Sequence, residues 1–210
     1  MSATPTPTIV LIHGFGANRY VMLPMVWRFR ALGFRVINVG YFSLLSIRRT
    51  SQQLVEQLRR LDQDPSVGPL HLVAHSMGSI LVRNALKQYR PANLGRVVMM
   101  TPPSKGSPRA DTLAPWLGWL IRPLDELQTR PDSFVNRLPP PDFPFAVMRA
   151  SHDFLVPNPF EQLEGADDRT LIRGMHSYVL LSRDAIQQIV CYLESGHFQP
   201  PAEEVTAVSN

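Results

Sequence analysis

Leu70-His71-Leu72-Val73-Ala74-His75-Ser76-Met77-Gly78-Ser79-Ile80-Leu81-Val82 is the most informative run in this chain. An apolar segment suited to a buried strand breaks at Ala74-His75-Ser76-Met77-Gly78 and resumes at once as a helical pattern, which puts Ser76 at the tip of a sharp strand-to-helix turn. Strand and helix cross closely at such a turn and the serine backbone is strained, so the residues two before and two after it must be small. Ala74 and Gly78 meet that demand, and the run reads as a nucleophile elbow. A chance small-x-Ser-x-small match at an ordinary turn is the competing reading, and the rest of the chain weighs against it.

Upstream, Thr8-Ile9-Val10-Leu11-Ile12 is a short apolar run of the kind buried on both faces in a parallel sheet, and it ends at His13-Gly14-Phe15-Gly16. Residues 21–32 read as a helix stopped by Gly33, residues 34–39 as a strand, and residues 47–61 as a surface helix with Ile47, Leu54, Leu58 and Leu61 at helical spacing. Downstream, residues 76–89 continue as a helix and residues 96–100 as a fourth strand. Strands and helices therefore alternate, which predicts an α/β fold, a doubly wound parallel sheet with helices on both faces.

The alternation breaks from Thr101 to Pro144, a proline-rich excursion carrying Trp116-Leu117-Gly118-Trp119-Leu120-Ile121. Its tryptophans predict an ordered segment with a short helix, either covering the site or packed on the core. Residues 145–150 and 170–173 read as further strands, each running into a polar loop, and residues 183–194 as the last helix. The tail after Gly196 is expected to fray. No repeat or second domain is visible, so residues 1–210 read as one domain.

Composition excludes several classes. A net charge of +4 with scattered basic residues is no nucleic-acid footprint. The lone Cys191 rules out an intrachain disulfide and lacks a partner cysteine for a thiolate metal cluster, and its helical context assigns it to core packing. Neither a metal nor another cofactor is expected. The N-terminus has no basic start or long apolar run, and no stretch of 18 apolar residues occurs, so a cytoplasmic protein without a transmembrane segment is the expectation.

Ligands of an open parallel sheet bind beyond the carboxyl ends of its strands. Ser76, Asp153 and His176 each fall just past a predicted strand end, so they can converge despite their distance in sequence. Ile12-His13-Gly14-Phe15-Gly16, Ala74-His75-Ser76-Met77-Gly78, Pro102-Pro103-Ser104-Lys105-Gly106-Ser107, Asp153-Phe154-Leu155-Val156-Pro157 and Gly174-Met175-His176-Ser177 together resemble the bacterial α/β-hydrolase esterases and lipases, over about residues 8–198. The alanine at the first elbow position is similar to that of the small bacterial lipases. The resemblance implies a minimal α/β-hydrolase fold of six strands in the order 2-1-3-4-5-6. It also implies Ser76 as nucleophile, Asp153 as acid, His176 as base, and an oxyanion hole from the backbone amides of Phe15 and Met77.

The remaining histidines are weaker candidates. His75 adjoins the nucleophile, but neighbouring strand residues point to opposite faces. His13 suits a backbone hydrogen bond at its turn, His152 precedes the acid in the same loop, and His71 and His197 have no slot in the pattern. Asp111 and Asp125 lie in the excursion and rank below Asp153 as the acid. Phe15, Tyr20, Met22, Met77, Trp116, Trp119, Phe154 and Leu155 are expected to ring Ser76 as an apolar acyl pocket. That lining predicts hydrolysis of a small-molecule or lipid acyl ester. Acyl transfer or thioester hydrolysis through the same triad remains open, as does a catalytically silent binding protein on this fold.

Overall fold

The computed structural model describes residues 6–156 and 163–200; Pro157, at the end of the acid-loop motif, and the tail beyond residue 200 lie outside them. Six strands, β1 (Thr8–Ile12), β2 (Arg35–Asn38), β3 (Leu70–His75), β4 (Leu94–Met100), β5 (Phe145–His152) and β6 (Asp168–Met175), form one sheet in the order β2-β1-β3-β4-β5-β6. Every neighbouring pair is parallel.

Side-chain alternation along the strands builds two cores. Val10, Ile12, Leu72 and Ala74 pack under α2 (Ile47–Asp62) and α3 (Met77–Gln88), whereas Ile9, Leu11 and Val73 pack under α1 (Leu23–Ala31) on the other face. That face is completed by the last helix, Arg183–Ser195. The central strands β1 and β3 are buried at every position, the polar Thr8, His71 and His75 included, as strands covered on both faces are.

The excursion between β4 and β5 holds two helices where one was expected: α4 (Pro108–Leu117) and α5 (Arg122–Glu126), followed by a 3-10 turn at Val135–Arg137. Pro108 opens the first of these helices, where its missing N–H costs nothing. With these two placed, the helix at Arg183–Ser195 is α6. Strand β6 extends beyond the expected Thr170–Arg173; it is an edge strand with an alternating exposed face, so only its centre reads as apolar. Cys191 is half-buried, outside both cores, because it sits at the edge of the apolar stripe formed by Ile186, Ile189 and Leu193.

Candidate active site

Ser76 links β3 to α3 with φ 53° and ψ −125°, and its N–H donates to the Met100 carbonyl at 2.9 Å. A positive φ on a residue with a Cβ costs free energy and persists only where the surroundings fix it. The only other described non-glycine residue with positive φ is Thr101, at the end of the adjacent strand β4. The crossing that fixes this turn is tight. A Cβ on Gly78 would lie 2.5 Å from the His13 carbonyl oxygen and 2.7 Å from that of Ile12. A Cβ on Gly14 would lie 3.0 Å from the Cβ of Ser76. The glycines thus let the loop after β1 close directly onto the elbow, bringing the backbone around Phe15 to the start of α3. Met77, fully buried, is the first residue of that helix, whose initial N–H groups have no intrahelical acceptor.

Asp153 and His176 arrive from the ends of β5 and β6 and meet: Nδ1 of His176 lies 2.7 Å from Oδ2 of Asp153. The Asp153 side chain is 3% exposed and that of His176 9%. The other carboxylate oxygen accepts the N–H groups of Leu155 at 3.0 Å and Val156 at 2.9 Å, which fixes the rotation of the carboxylate. Asp111 accepts from the N–H and hydroxyl of Thr129, and Asp125 pairs with Arg130, so both alternative acids serve the excursion itself.

Ser76 and His176 both line a cavity of about 440 Å³. Phe15, Val21, Leu113, Leu124, Leu155 and Leu180 give it apolar walls, and Arg109 is its single Arg, Lys, Asp or Glu. Phe15 and Leu155 line it as the sequence reading expected; six other expected residues do not, among them Met77, which is fully buried in the core on the α2–α3 side of the sheet. Met22 is fully buried in the core beneath α1, because it closes the 3-10 turn Arg19–Met22 with its side chain inward. Tyr20, Trp116, Trp119 and Phe154 point outward and are 62–79% exposed. Their neighbours Val21, Leu113 and Leu155 face the cavity instead. In turns and loops such choices follow no fixed period, and on α4 they depend on the rotation of the helix about its axis, which the sequence does not fix.

His75 does not follow the expectation that it would face away from the site. Its ring packs on that of His176 at a centroid distance of 4.9 Å, and its Nε2 lies 3.2 Å from the His176 carbonyl oxygen. Burial, reinforced by the nearby His176, pushes its pKa down to about 3. His13 contacts the Gly14 carbonyl through Nδ1 at 2.9 Å and stacks on Tyr41, and burial lowers its pKa as well. His71 and His75 share the four-residue spacing of helical metal ligands, but along strand β3 that spacing separates them by about 13 Å. Among the described residues no three His, Cys, Asp or Glu side chains gather as a metal site.

Comparison with known proteins agrees with this architecture. A type II thioesterase, YbtT from the yersiniabactin NRPS/PKS biosynthetic pathway, superposes with a TM-score of 0.66 at 20% identity, over 91% of this chain and 94% of the thioesterase. Bacillus licheniformis lipase BlEst2 gives 0.64 at 16% identity over 90% and 91%. Aspergillus fumigatus lipase B gives 0.69 at 16% identity, over 93% of this chain and 54% of the lipase. Identities this low speak for a shared fold. No curated protein matches the chain significantly. The sequence profile of the Alpha/beta hydrolase family matches residues 9–206. The chain therefore belongs to the alpha/beta hydrolase family.

Proposed function

We propose that the protein hydrolyses carboxylic esters through an acyl-enzyme, with Ser76 as nucleophile, His176 as general base and Asp153 as its orienting acid. The observation that carries this reading is the 2.7 Å contact between Asp153 Oδ2 and His176 Nδ1, made at the wall of the cavity that also holds the strained Ser76. A serine hydroxyl is a weak nucleophile at neutral pH. His176 Nε2 takes its proton as Oγ bonds to the acyl carbon, and the same proton passes to the departing alkoxide as the C–O bond breaks. Water then repeats the sequence: His176 takes a proton from it, hydroxide adds to the acyl carbon, and Ser76 leaves with the proton returned to Oγ. Asp153 holds the tautomer with hydrogen on Nδ1 and stabilises the imidazolium.

Each addition places negative charge on the former carbonyl oxygen. The N–H groups of Phe15 and Met77 are the donors assigned to it, aided by the positive end of the α3 dipole. Losing one such donor typically raises the barrier by about 3 kcal/mol. The apolar walls favour an uncharged acyl chain.

The test is labelling by a fluorophosphonate together with hydrolysis of p-nitrophenyl esters of increasing chain length, for the wild type and Ser76→Ala. Labelling and turnover lost together in Ser76→Ala are the expected result. A wild type that neither labels nor turns over any ester refutes the reading, and turnover confined to thioesters replaces the substrate class.

A further inference from the structure

Arg83, on α3, is the one buried Lys or Arg among the described residues, with 6% of its surface exposed. Its Nη2 donates to the carbonyls of Leu138 at 3.3 Å and Pro139 at 3.1 Å, whereas Nε and Nη1 are buried with no hydrogen-bond partner. No carboxylate among the described residues forms an ion pair with it. Burial pushes its pKa down to about 10, so the guanidinium is still charged at neutral pH. A buried charge is costly unless an opposite charge answers it, and the described residues supply none.

The same side chain lines a second cavity, of about 130 Å³, which shares no lining residue with the one at Ser76. A water needs roughly 10–15 Å³, so the space suits one small organic ion. Ser104 also lines it, is 2% exposed, and has a buried hydroxyl without a hydrogen-bond partner. Lys105 and Glu164 add one exposed charge of each sign, so Arg83 leaves the lining with one net positive charge. Val135 and Leu163 are apolar parts of its wall. Ser104 and Lys105 face this cavity while Pro103 and Ser107 face the other, so the loop that stands out in the sequence as Pro102–Ser107 divides the two.

We propose that this second cavity binds a small monocarboxylate, its carboxylate held by Arg83 and Ser104 and its short apolar tail against Val135 and Leu163. One net positive charge matches one carboxylate, and a guanidinium and a hydroxyl are both donors that a carboxylate accepts. The site uses neither Ser76 nor His176, so it and the ester chemistry can each fail without the other.

The test follows the melting temperature of the full chain in sodium acetate, propionate, butyrate or phosphate, each against sodium chloride at equal ionic strength. A saturable rise with the carboxylates is expected, about 3–5 °C at ten times the half-saturating concentration. Ser104→Ala removes a buried hydroxyl that has no hydrogen bond, so it should melt no lower than the wild type in chloride and yet need about tenfold more carboxylate for the same rise. Arg83→Met should abolish the rise; if that variant does not fold, Ser104→Ala decides. The proposal is overturned if chloride stabilises as well as the carboxylates do, or if phosphate alone raises the melting temperature. A carboxylate response in Ser104→Ala equal to that of the wild type overturns it too, since the anion would then bind elsewhere.

Discussion

Nε2 of His75 lies 3.2 Å from the carbonyl oxygen of His176, so the residue before the nucleophile holds the backbone of the residue assigned as its base. A carbonyl only accepts, so Nε2 carries the hydrogen and donates. With its pKa near 3, the His75 ring is neutral wherever a serine–histidine pair could work and cannot compete for the proton. In the proposed reaction its part would be to position His176.

Replacing His75 by Leu should lower kcat for ester hydrolysis about 10- to 100-fold, since an ångström-scale displacement of a reacting group costs that much, with KM nearly unchanged. His75→Gln retains an N–H of similar reach and should recover part of the loss. Steady-state kinetics of both variants at matched folded fractions check this. An equal loss in both, or a loss expressed in KM alone, would contradict the positioning role.

Acid sensitivity follows from the same burial. His75 and His71 have folded-state pKa values lowered to about 3 and about 4, by burial first in both cases. The unfolded chain, with histidines near 6.5, therefore binds more protons between those values and 6.5, so stability is complete above 6.5 and declines as pH falls through this window. Each proton contributes a slope of up to about 1.4 kcal/mol per pH unit. Denaturant melts at pH 7, 6, 5 and 4 should show the fall. His71→Gln should show a shallower fall than the wild type even if it is less stable at pH 7; parallel slopes would mean that His71 does not titrate this way.

The fold was legible because its signals are local and strong. Largely apolar runs such as Ile9–Ile12 and Leu72–Ala74 suit a sheet buried on both faces, and the spacing from Ile47 to Leu61 fits a helix laid over one. Ser76, Asp153 and His176 could be named because strand ends are readable, and in a parallel sheet strand ends converge. The cavity lining was not legible. Whether Tyr20 or Val21 turns inward depends on the 3-10 turn at Arg19–Met22, and whether Trp116 or Leu113 does depends on the rotation of α4 about its axis. The sequence also misplaced His75, since alternation assigns it a face of β3 but says nothing of what loop lies over the strand's end.

Glu126 shows how the excursion is tied to the body of the protein. Helix α2 has no acidic residue in its first turn and no side-chain cap from Ser46; the Glu126 carboxylate, 79 residues on from Ile47, supplies one by accepting the Ile47 N–H and the Ser46 hydroxyl, the latter at 2.9 Å. Burial of this carboxylate raises its pKa. Glu126→Ala should cost about 1–2 kcal/mol, the scale of a lost N-cap, and should raise amide exchange in α5 as well as at the start of α2. Loss of stability with exchange changed in α2 alone would argue that Glu126 caps the helix without anchoring the excursion.

Gly78→Ala separates close packing from helix propensity. In an open helix, glycine to alanine is stabilising by about 1 kcal/mol. At Gly78 the added carbon would meet two backbone oxygens, of Ile12 and His13, at 2.7 and 2.5 Å, and neither can swing aside as a side-chain end could. The substitution should therefore destabilise by about 1–3 kcal/mol, as overpacking does, and force the loop carrying Phe15 away from the elbow. Because that movement also displaces an assigned oxyanion donor, the variant's kcat should fall even at temperatures where it is fully folded. A variant as stable and as active as the wild type would show that α3 and the end of β1 do not approach as closely as the elbow requires.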